Sequence, residues 1–287
     1  MESTIIVTLQ KKSSAKKIRS RYRACLKEIA QCFSEPGSIN EESVHNLRVN
    51  LKRVDALIAL LAHSGRKIPP RKLRSFKTLF RLAGKLRAKQ VEFGVVKNNF
   101  TDDSVNTNYL HQLHESKAKR LSEYSKFFGS EVPRPLKRGI ELLKKNISHL
   151  TKKHITGYLS TEERKLAKRL KRSIFREQEL HFIRKDLKRY YLNSKMADYD
   201  NERIERMLDL LGTWHDYQIA FDHVVKTIYT GHLSTPESEP IKQIKYRLIT
   251  DKESLYEKIV AFYAEEMQEN EPAKKVDAWQ NSLVQQA

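Results

Sequence analysis

The chain has 287 residues, 39% of them apolar and 31% charged, with a formal net charge of +20. The apolar share supports a packed core, yet no apolar run approaches the roughly 20 residues of a bilayer-spanning helix. A charge this large excludes an indifferent surface and calls for a polyanionic partner: nucleic acid, an anionic membrane surface or a phosphate polymer. With 9 Gly and 8 Pro, the composition favours long helices. Cys25 and Cys32 lie seven residues apart in a cationic stretch, out of disulfide reach on a straight helix, which suits a reducing cytosol. Ile5 to Val7 is apolar, but no basic region precedes it and no small-residue cleavage site follows. The expectation is therefore a cytoplasmic protein with no secretion signal and no membrane contact.

Residues 1–10 read as an extended N-terminal arm. Apolar periodicity through Ile18, Tyr22, Leu26 and Ile29 then predicts a helix from Ala15 to Phe33, with Lys16, Arg19, Arg23 and Lys27 as a cationic stripe beside that face. Glu35-Pro36-Gly37-Ser38 breaks it, Asn40 is an N-cap, and a second helix runs to about Ala62. After Gly65 and Pro69-Pro70, a third helix is expected from near Arg71 to Asn98. A polar loop over 101–108 and a fourth helix from Tyr109 to Phe128 follow.

Past a linker at 129–135 the pattern begins again. One helix is expected from Pro135 to about Ile155, broken at Gly157. Ser160 with Glu163 fits a capping box opening the next, through Leu166, Leu170 and Ile174. A helix around His181, one from Tyr199 to Tyr229, a loop to Pro240 and a last helix from Ile241 to about Met267 complete the order. Residues 271–287 read as a tail. No β-alternation appears after residue 10, so the fold class is all-α.

Two segments occur twice. Val44-His45-Asn46-Leu47-Arg48 continues to Lys52-Arg53, and Leu180-His181-Phe182-Ile183-Arg184 continues to Lys188-Arg189. His, Arg, Lys and Arg stand at the same relative spacing in both. At about 100° per residue the His, the first Arg and the Lys fall within roughly 60° of one another, opposite an apolar face. Further on, Leu82-Ala83-Gly84 through Arg87-Ala88 to Gln90 and Phe93 aligns with Leu210-Leu211-Gly212 through His215-Asp216 to Gln218 and Phe221. Two matched segments in the same order argue for an internal duplication: a first helical repeat over 11–130 and a second over 134–270. Each repeat lies in a basic block, 22 Lys/Arg against 6 Asp/Glu over residues 11–100 and 19 against 6 over 134–195. A Gly inside a helix costs about 1 kcal/mol relative to Ala. Its recurrence reads either as close approach of another helix or a ligand, or as plain packing.

The paired His-x-x-Arg-x-x-x-Lys-Arg helices, each followed by Leu-x-Gly-x-x-(Arg/His)-Asp, resemble the CHAD family, named for its histidines in an α-helical domain. The second half fits best, with His181, Arg184, Lys188 and Arg189, then Leu210, Gly212, Trp214, His215 and Asp216. The first half supplies His45, Arg48, Lys52, Arg53, Gly84 and Arg87, and departs at Ala88, where the family usually has Asp. The resemblance spans about residues 11–270 and implies one domain of two pseudo-symmetric four-helix-type bundles. It further implies a central basic cleft that binds inorganic polyphosphate.

The residue chemistry agrees with that implication. A phosphate polymer has no bases to stack on and no groove to read, so its receptor needs a row of Arg and Lys. The expected ligand contacts are His45, Arg48, Lys52, Arg53 and Arg87, with His181, Arg184, Lys188, Arg189 and His215. Arg19, Arg23 and Lys27 are secondary candidates. Asp216 is expected to orient a neighbouring cation or His181. Histidines among so many cations are expected to stay neutral until phosphate binds, so affinity should rise as pH falls. The other histidines read as surface or core residues.

Two rivals stand beside this reading. One is a nucleic-acid-binding helical protein, which the charge allows although no zinc spacing, RNP-like strand or helix-turn-helix signature is present. The other is a metal-dependent phosphohydrolase using His215 and Asp216. The matching pair in the first repeat is Arg87-Ala88, so what repeats is positive charge rather than metal ligands. No catalytic residue, metal or cofactor is assigned, and the chain is expected to be a binding protein and not an enzyme, associated in the cytoplasm with polyphosphate granules.

Overall fold

The computed structural model describes residues 14–33, 39–99, 107–129, 131–172, 177–199, 201–230 and 235–268. All regular structure among them is helical: α1 (Ala15–Gln31), α2 (Glu41–His63), a 3-10 turn (Pro70–Leu73), α3 (Arg74–Asn99), α4 (Thr107–Ser125), α5 (Arg134–Ile147), α6 (Lys152–Arg172), α7 (Glu177–Met196), α8 (Glu202–Tyr229) and α9 (Thr235–Gln268). The all-α class is as expected. The expected N-terminal arm, Ile174 and the tail lie outside the described residues.

Caps set the helix starts. Ser14 accepts from the Lys17 amide at 3.2 Å. Asn40 and Ser43 form a reciprocal capping box that opens α2, and Asn201 accepts from the Ile204 amide to open α8. Two expectations fail. The chain turns at Ser148 to Thr151, not at Gly157, and α6 runs unbroken through Gly157 and Ser160. The cap is Thr151, whose hydroxyl accepts from the His154 amide while the His154 ring accepts from the Thr151 amide, both at 3.3 Å. This is a capping box with His in the position that Glu or Gln usually fills. Gly157 is accommodated mid-helix, where a Cβ would stand 3.6 Å from His63 Nε2. Likewise α9 begins at Thr235, within the expected loop, because Pro236 in a first turn sacrifices no helical hydrogen bond.

The main core draws on both halves of the chain. Tyr22, Leu26 and Ile29 of α1, Leu47, Leu57 and Leu61 of α2 and Leu79 and Leu86 of α3 are fully buried with Leu180, Ile183 and Leu211 of α7 and α8. The packing follows the sequence match: α2 lies on α7 and α3 on α8, each against its own counterpart. Buried Asn193 of α7 pins the centre. It accepts from the Tyr22 hydroxyl and donates to the Ala56 carbonyl at 3.1 Å and the Arg189 carbonyl at 3.2 Å. Beyond this core, the far ends of α3 and α8 join α4 and α9 in a smaller cluster of Val96, Tyr109, Leu113, Val224, Ile244 and Leu248. There buried Glu92 accepts from Lys89 at 2.7 Å and pairs with the His223 ring of α8 at 2.6 Å, tying the two long helices together.

Candidate functional site

Where α2, α3, α7 and α8 meet, their polar faces enclose a cavity of about 730 Å³. Its position follows from the helix period. The apolar residues of α2 and α7 turn into the core, which leaves the His, the first Arg and the Lys of each facing the gap. The structure gathers ten of the expected residues around it: His45, Arg48 and Lys52 from α2, Arg87 from α3, His181, Arg184, Lys188 and Arg189 from α7, and His215 and Asp216 from α8.

Four expected residues stand elsewhere. Arg53 sits about 80° around α2 from His45, turned toward α1. There it donates to Asn50 at 3.0 Å and borders a separate cavity of about 400 Å³. Its match Arg189 does line the main cavity, so the fourth repeated position divides between two jobs. Arg19, Arg23 and Lys27 lie on α1, behind α2. Because the apolar face of α1 is spent on the core, its cationic stripe points outward, and Arg19 donates to the Ser148 carbonyl at 2.9 Å. Both cysteines are free thiols.

Lys77, Phe80 and Lys185 also line the cavity. Lys77 and Phe80 extend the Gly84-Arg87 face of α3 backward at helical spacing, and Lys185 follows His181 by one turn. Periodicity outward from the motifs would have found all three. In total eight Lys and Arg side chains, three His and two Asp, Asp55 and Asp216, surround the cavity. Among the described residues only Arg189 of those eight reaches a carboxylate, Asp186 at 3.9 Å.

Gly84 has a definite task. A Cβ there would stand 2.9 Å from Arg48 Nη1, so the missing side chain lets the guanidinium lie directly on α3. The same guanidinium stacks over the Phe80 ring, 5.0 Å from its centroid. Its Nη1 is buried and has no acceptor among the described residues, a costly state that leaves a fixed donor at the cavity wall. Gly212, the matched glycine, faces open space.

Crowded like charges, taken out of water, shape the titration. Burial first, then Arg48, Arg184 and Lys188, bring the Lys52 amine down to about 8. Burial, followed by Arg184 and His181, brings the His215 imidazole down to about 4. His181 is lowered by burial with Lys185 and Arg184, and its ring centroid lies 5.2 Å from that of His215. His45 is lowered by burial with Arg87, Lys52, Arg48 and Lys188. All three rings are therefore driven toward the neutral form. Burial raises the Asp216 carboxyl, against a pull downward from Arg184, Arg87, Lys52 and Arg48. Those four cations come from both walls, yet none pairs with Asp216 within ion-pair distance among the described residues. The acid acts on them through the field and leaves their donors open.

This arrangement is chemically suited to anions. It presents fixed guanidinium and ammonium donors in a half-buried gap where charge-assisted hydrogen bonds are stronger than in water. No cluster of three or more His, Cys, Asp and Glu side chains suited to a metal ion occurs among the described residues. None of the described helices is long and apolar enough to cross a membrane.

The fold is that of known structures. The crystal structure of the CHAD domain from the plant Ricinus communis superposes with a TM-score of 0.70 at 12% identity, over 92% of this chain and 96% of that one. PptA from Streptomyces chartreusis superposes with a TM-score of 0.65 at 11% identity, over 89% of this chain and 99% of that one. No curated protein matches the sequence. The sequence model of the CHAD domain matches residues 20–225, a stretch that contains both His helices and both glycine segments, and the chain belongs to the CHAD domain family.

Proposed function

We propose that the protein binds inorganic polyphosphate in the cleft between α2–α3 and α7–α8, and that the two walls arose by duplication of one helical unit. The observation that carries this reading is the set of eight cations around one cavity, seven of them without a carboxylate partner among the described residues. Elsewhere some cations are paired across elements, Lys17 with Asp198, Lys117 with Glu41 and Lys252 with Glu177. Packing of α2 on α7 and of α3 on α8 is what a pseudo-two-fold axis requires, and it supports the duplication. The ligand contacts are the side chains of Arg48, Lys52, Arg87, Arg184, Lys188 and Arg189, with His45, His181 and His215 as hydrogen-bond donors. The role is binding rather than turnover, in the cytoplasm and on polyphosphate granules.

A binding isotherm with polyphosphate of defined length, repeated at two salt concentrations, tests this. Saturable binding that weakens steeply with salt is expected, because each neutralised phosphate releases counterions. Binding that ignores salt would overturn it. So would ready displacement of polyphosphate by duplex DNA or RNA, which would favour a nucleic-acid partner.

A further inference from the structure

The cationic surface does not stop at the mouth of the cleft. Lys77 lines the cavity near the start of α3. One turn back stands Arg74, and before it Lys72 in the 3-10 turn, both exposed. Helix α5 is seated against this edge by Gly139. A Cβ there would stand 2.9 Å from the ring of Phe76, a cavity-lining residue, and 3.2 Å from the Lys72 carbonyl. Arg138, next to Gly139 in the chain and exposed, therefore belongs to the turn of α5 that meets the Lys72 backbone. Along α5, Arg138 and Lys145 lie two turns apart on the exposed side, and the intervening Glu141 is paired with Lys144 at 2.9 Å. None of Lys72, Arg74, Lys77, Arg138 and Lys145 has an ion-pair partner among the described residues. From Arg138 to Lys145 the helix carries this row over about 10 Å.

The opposite wall does not repeat this edge. Residues of α8 matched to Arg74 and Lys77 are Glu202 and Glu205, and Glu205 is paired with Lys195 at 3.5 Å. A polyanion leaving the cleft finds on the first wall a row of cations that the second wall does not match.

We infer that a polyphosphate chain longer than the cleft leaves it past Lys77, crosses Arg74 and Lys72, and runs along α5 over Arg138 to Lys145. This rests on the polyphosphate reading of the cleft and adds a second segment to it. The track makes affinity depend on chain length: short oligophosphates use the cleft alone, and long chains use both segments of one continuous site.

Isotherms with tripolyphosphate and with long-chain polyphosphate test it at fixed salt near the physiological range. The protein is compared with Lys72→Glu/Arg138→Glu and with a control, Lys97→Glu/Lys226→Glu. The control makes the same charge change at the far end of α3 and α8, beside the smaller core. That end is about 35 Å of helix from Arg74, several screening lengths away. Expected are a loss of about tenfold for the long chain in the rim variant, and changes within about twofold for tripolyphosphate and for the control. An unchanged long-chain affinity overturns the track, and so does a parallel fall for both ligands. If the double reversal loses its helical circular dichroism, Lys72→Ala/Arg138→Ala removes the same contacts without new charge, with an expected loss of about fivefold. Failure of the unaltered protein to bind either phosphate overturns the polyphosphate reading itself, and the track with it.

Discussion

On the first wall Arg48 is built in: its guanidinium lies on the bare backbone of Gly84, is capped by Phe80, and keeps one donor buried and unmet. On the second wall Arg184 has the same place in the motif but no such seat, since Gly212 faces open space and the position matched to Phe80 is Leu208, part of the core. The walls differ again one turn on. Arg87 and Ala88 stand where His215 and Asp216 stand opposite. The sequence suggests that the first wall does without an acidic brace. The field of Asp216 reaches Arg48, Lys52 and Arg87 of that wall as well as Arg184. That carboxylate lies where the walls meet and faces cations of both, while Asp55 is the other acid that lines the cavity. The ladder of cations is the same on both walls, while the parts that hold each cation in place differ.

Reversing the cation that both walls share tests how far they act as one. Arg48→Glu with Arg184→Glu removes two charge-assisted contacts and adds two repulsive ones. Polyphosphate affinity should fall by about a hundredfold or more while the helical circular dichroism survives. If each single reversal already costs as much as the pair, the walls form one cooperative site; if the losses multiply, they act independently. Retained affinity in the double variant would sink the site assignment.

The titrating groups separate the walls by a smaller margin. Bound phosphate favours the imidazolium, so the lowered His45, His181 and His215 should take up protons on binding. Affinity should therefore rise as pH falls below the ordinary imidazole value near about 6.5, by about tenfold between neutral and mildly acid solution. At the other end, Lys52 loses its charge near 8, and affinity should fall as pH climbs through that value. Stability of the free protein runs the opposite way in acid. Its histidines are depressed below their unfolded values, so their contribution is full above about 6.5. It is lost as pH falls toward the folded value, about 4 for His215. His215→Arg, which copies Arg87 into the second wall, should raise affinity at neutral pH and shrink the gain on acidification. An unaltered pH profile in that variant would remove His215 from the ligand contacts.

A few-fold effect is expected from the acid. Asp216→Asn should raise polyphosphate affinity about threefold by lifting an anion from the cleft, and should not lower the melting temperature of the free protein, because burial costs the carboxylate more than the surrounding cations return. Ala88→Asp should do the reverse to affinity. A loss of affinity in Asp216→Asn would mean that orientation of Arg184 outweighs charge.

The residues that could be read from the sequence are those that repeat. His45, Arg48 and Lys52 share a face with one another, as do His181, Arg184 and Lys188, and a matched spacing on an amphipathic helix has few other meanings. Lys77 and Phe80 escaped because their counterparts are Glu205 and Leu208, so a search for repetition passes over them. Arg53 repeats but lies at the margin of its face, where packing against α1 decides which way it turns. The course of α5 and α6 was hidden for a local reason. Glycine at 157 reads as a breaker, whereas the boundary at Thr151 is closed by a histidine ring, a cap that the usual Ser/Thr-x-x-Glu pattern does not contain.

The two glycines offer the finest test of unequal walls, because one substitution meets two environments. Gly212→Ala places its methyl in open space mid-helix. It should stabilise the protein by up to about 1 kcal/mol through helix propensity and leave polyphosphate affinity within about twofold. Gly84→Ala gains the same propensity but sets a Cβ 2.9 Å from Arg48 Nη1, closer than such contacts allow. The obstacle is the end of a flexible side chain, so the helix survives and the guanidinium moves. Stability should then stay within about 0.5 kcal/mol of the parent, since the gain is offset by lost stacking on Phe80, while affinity drops about three- to tenfold. Thermal melts and isotherms on the two variants read both quantities. Equal behaviour of the pair would mean that Arg48 is not held by its seat on α3, and that the walls differ in sequence but not in work.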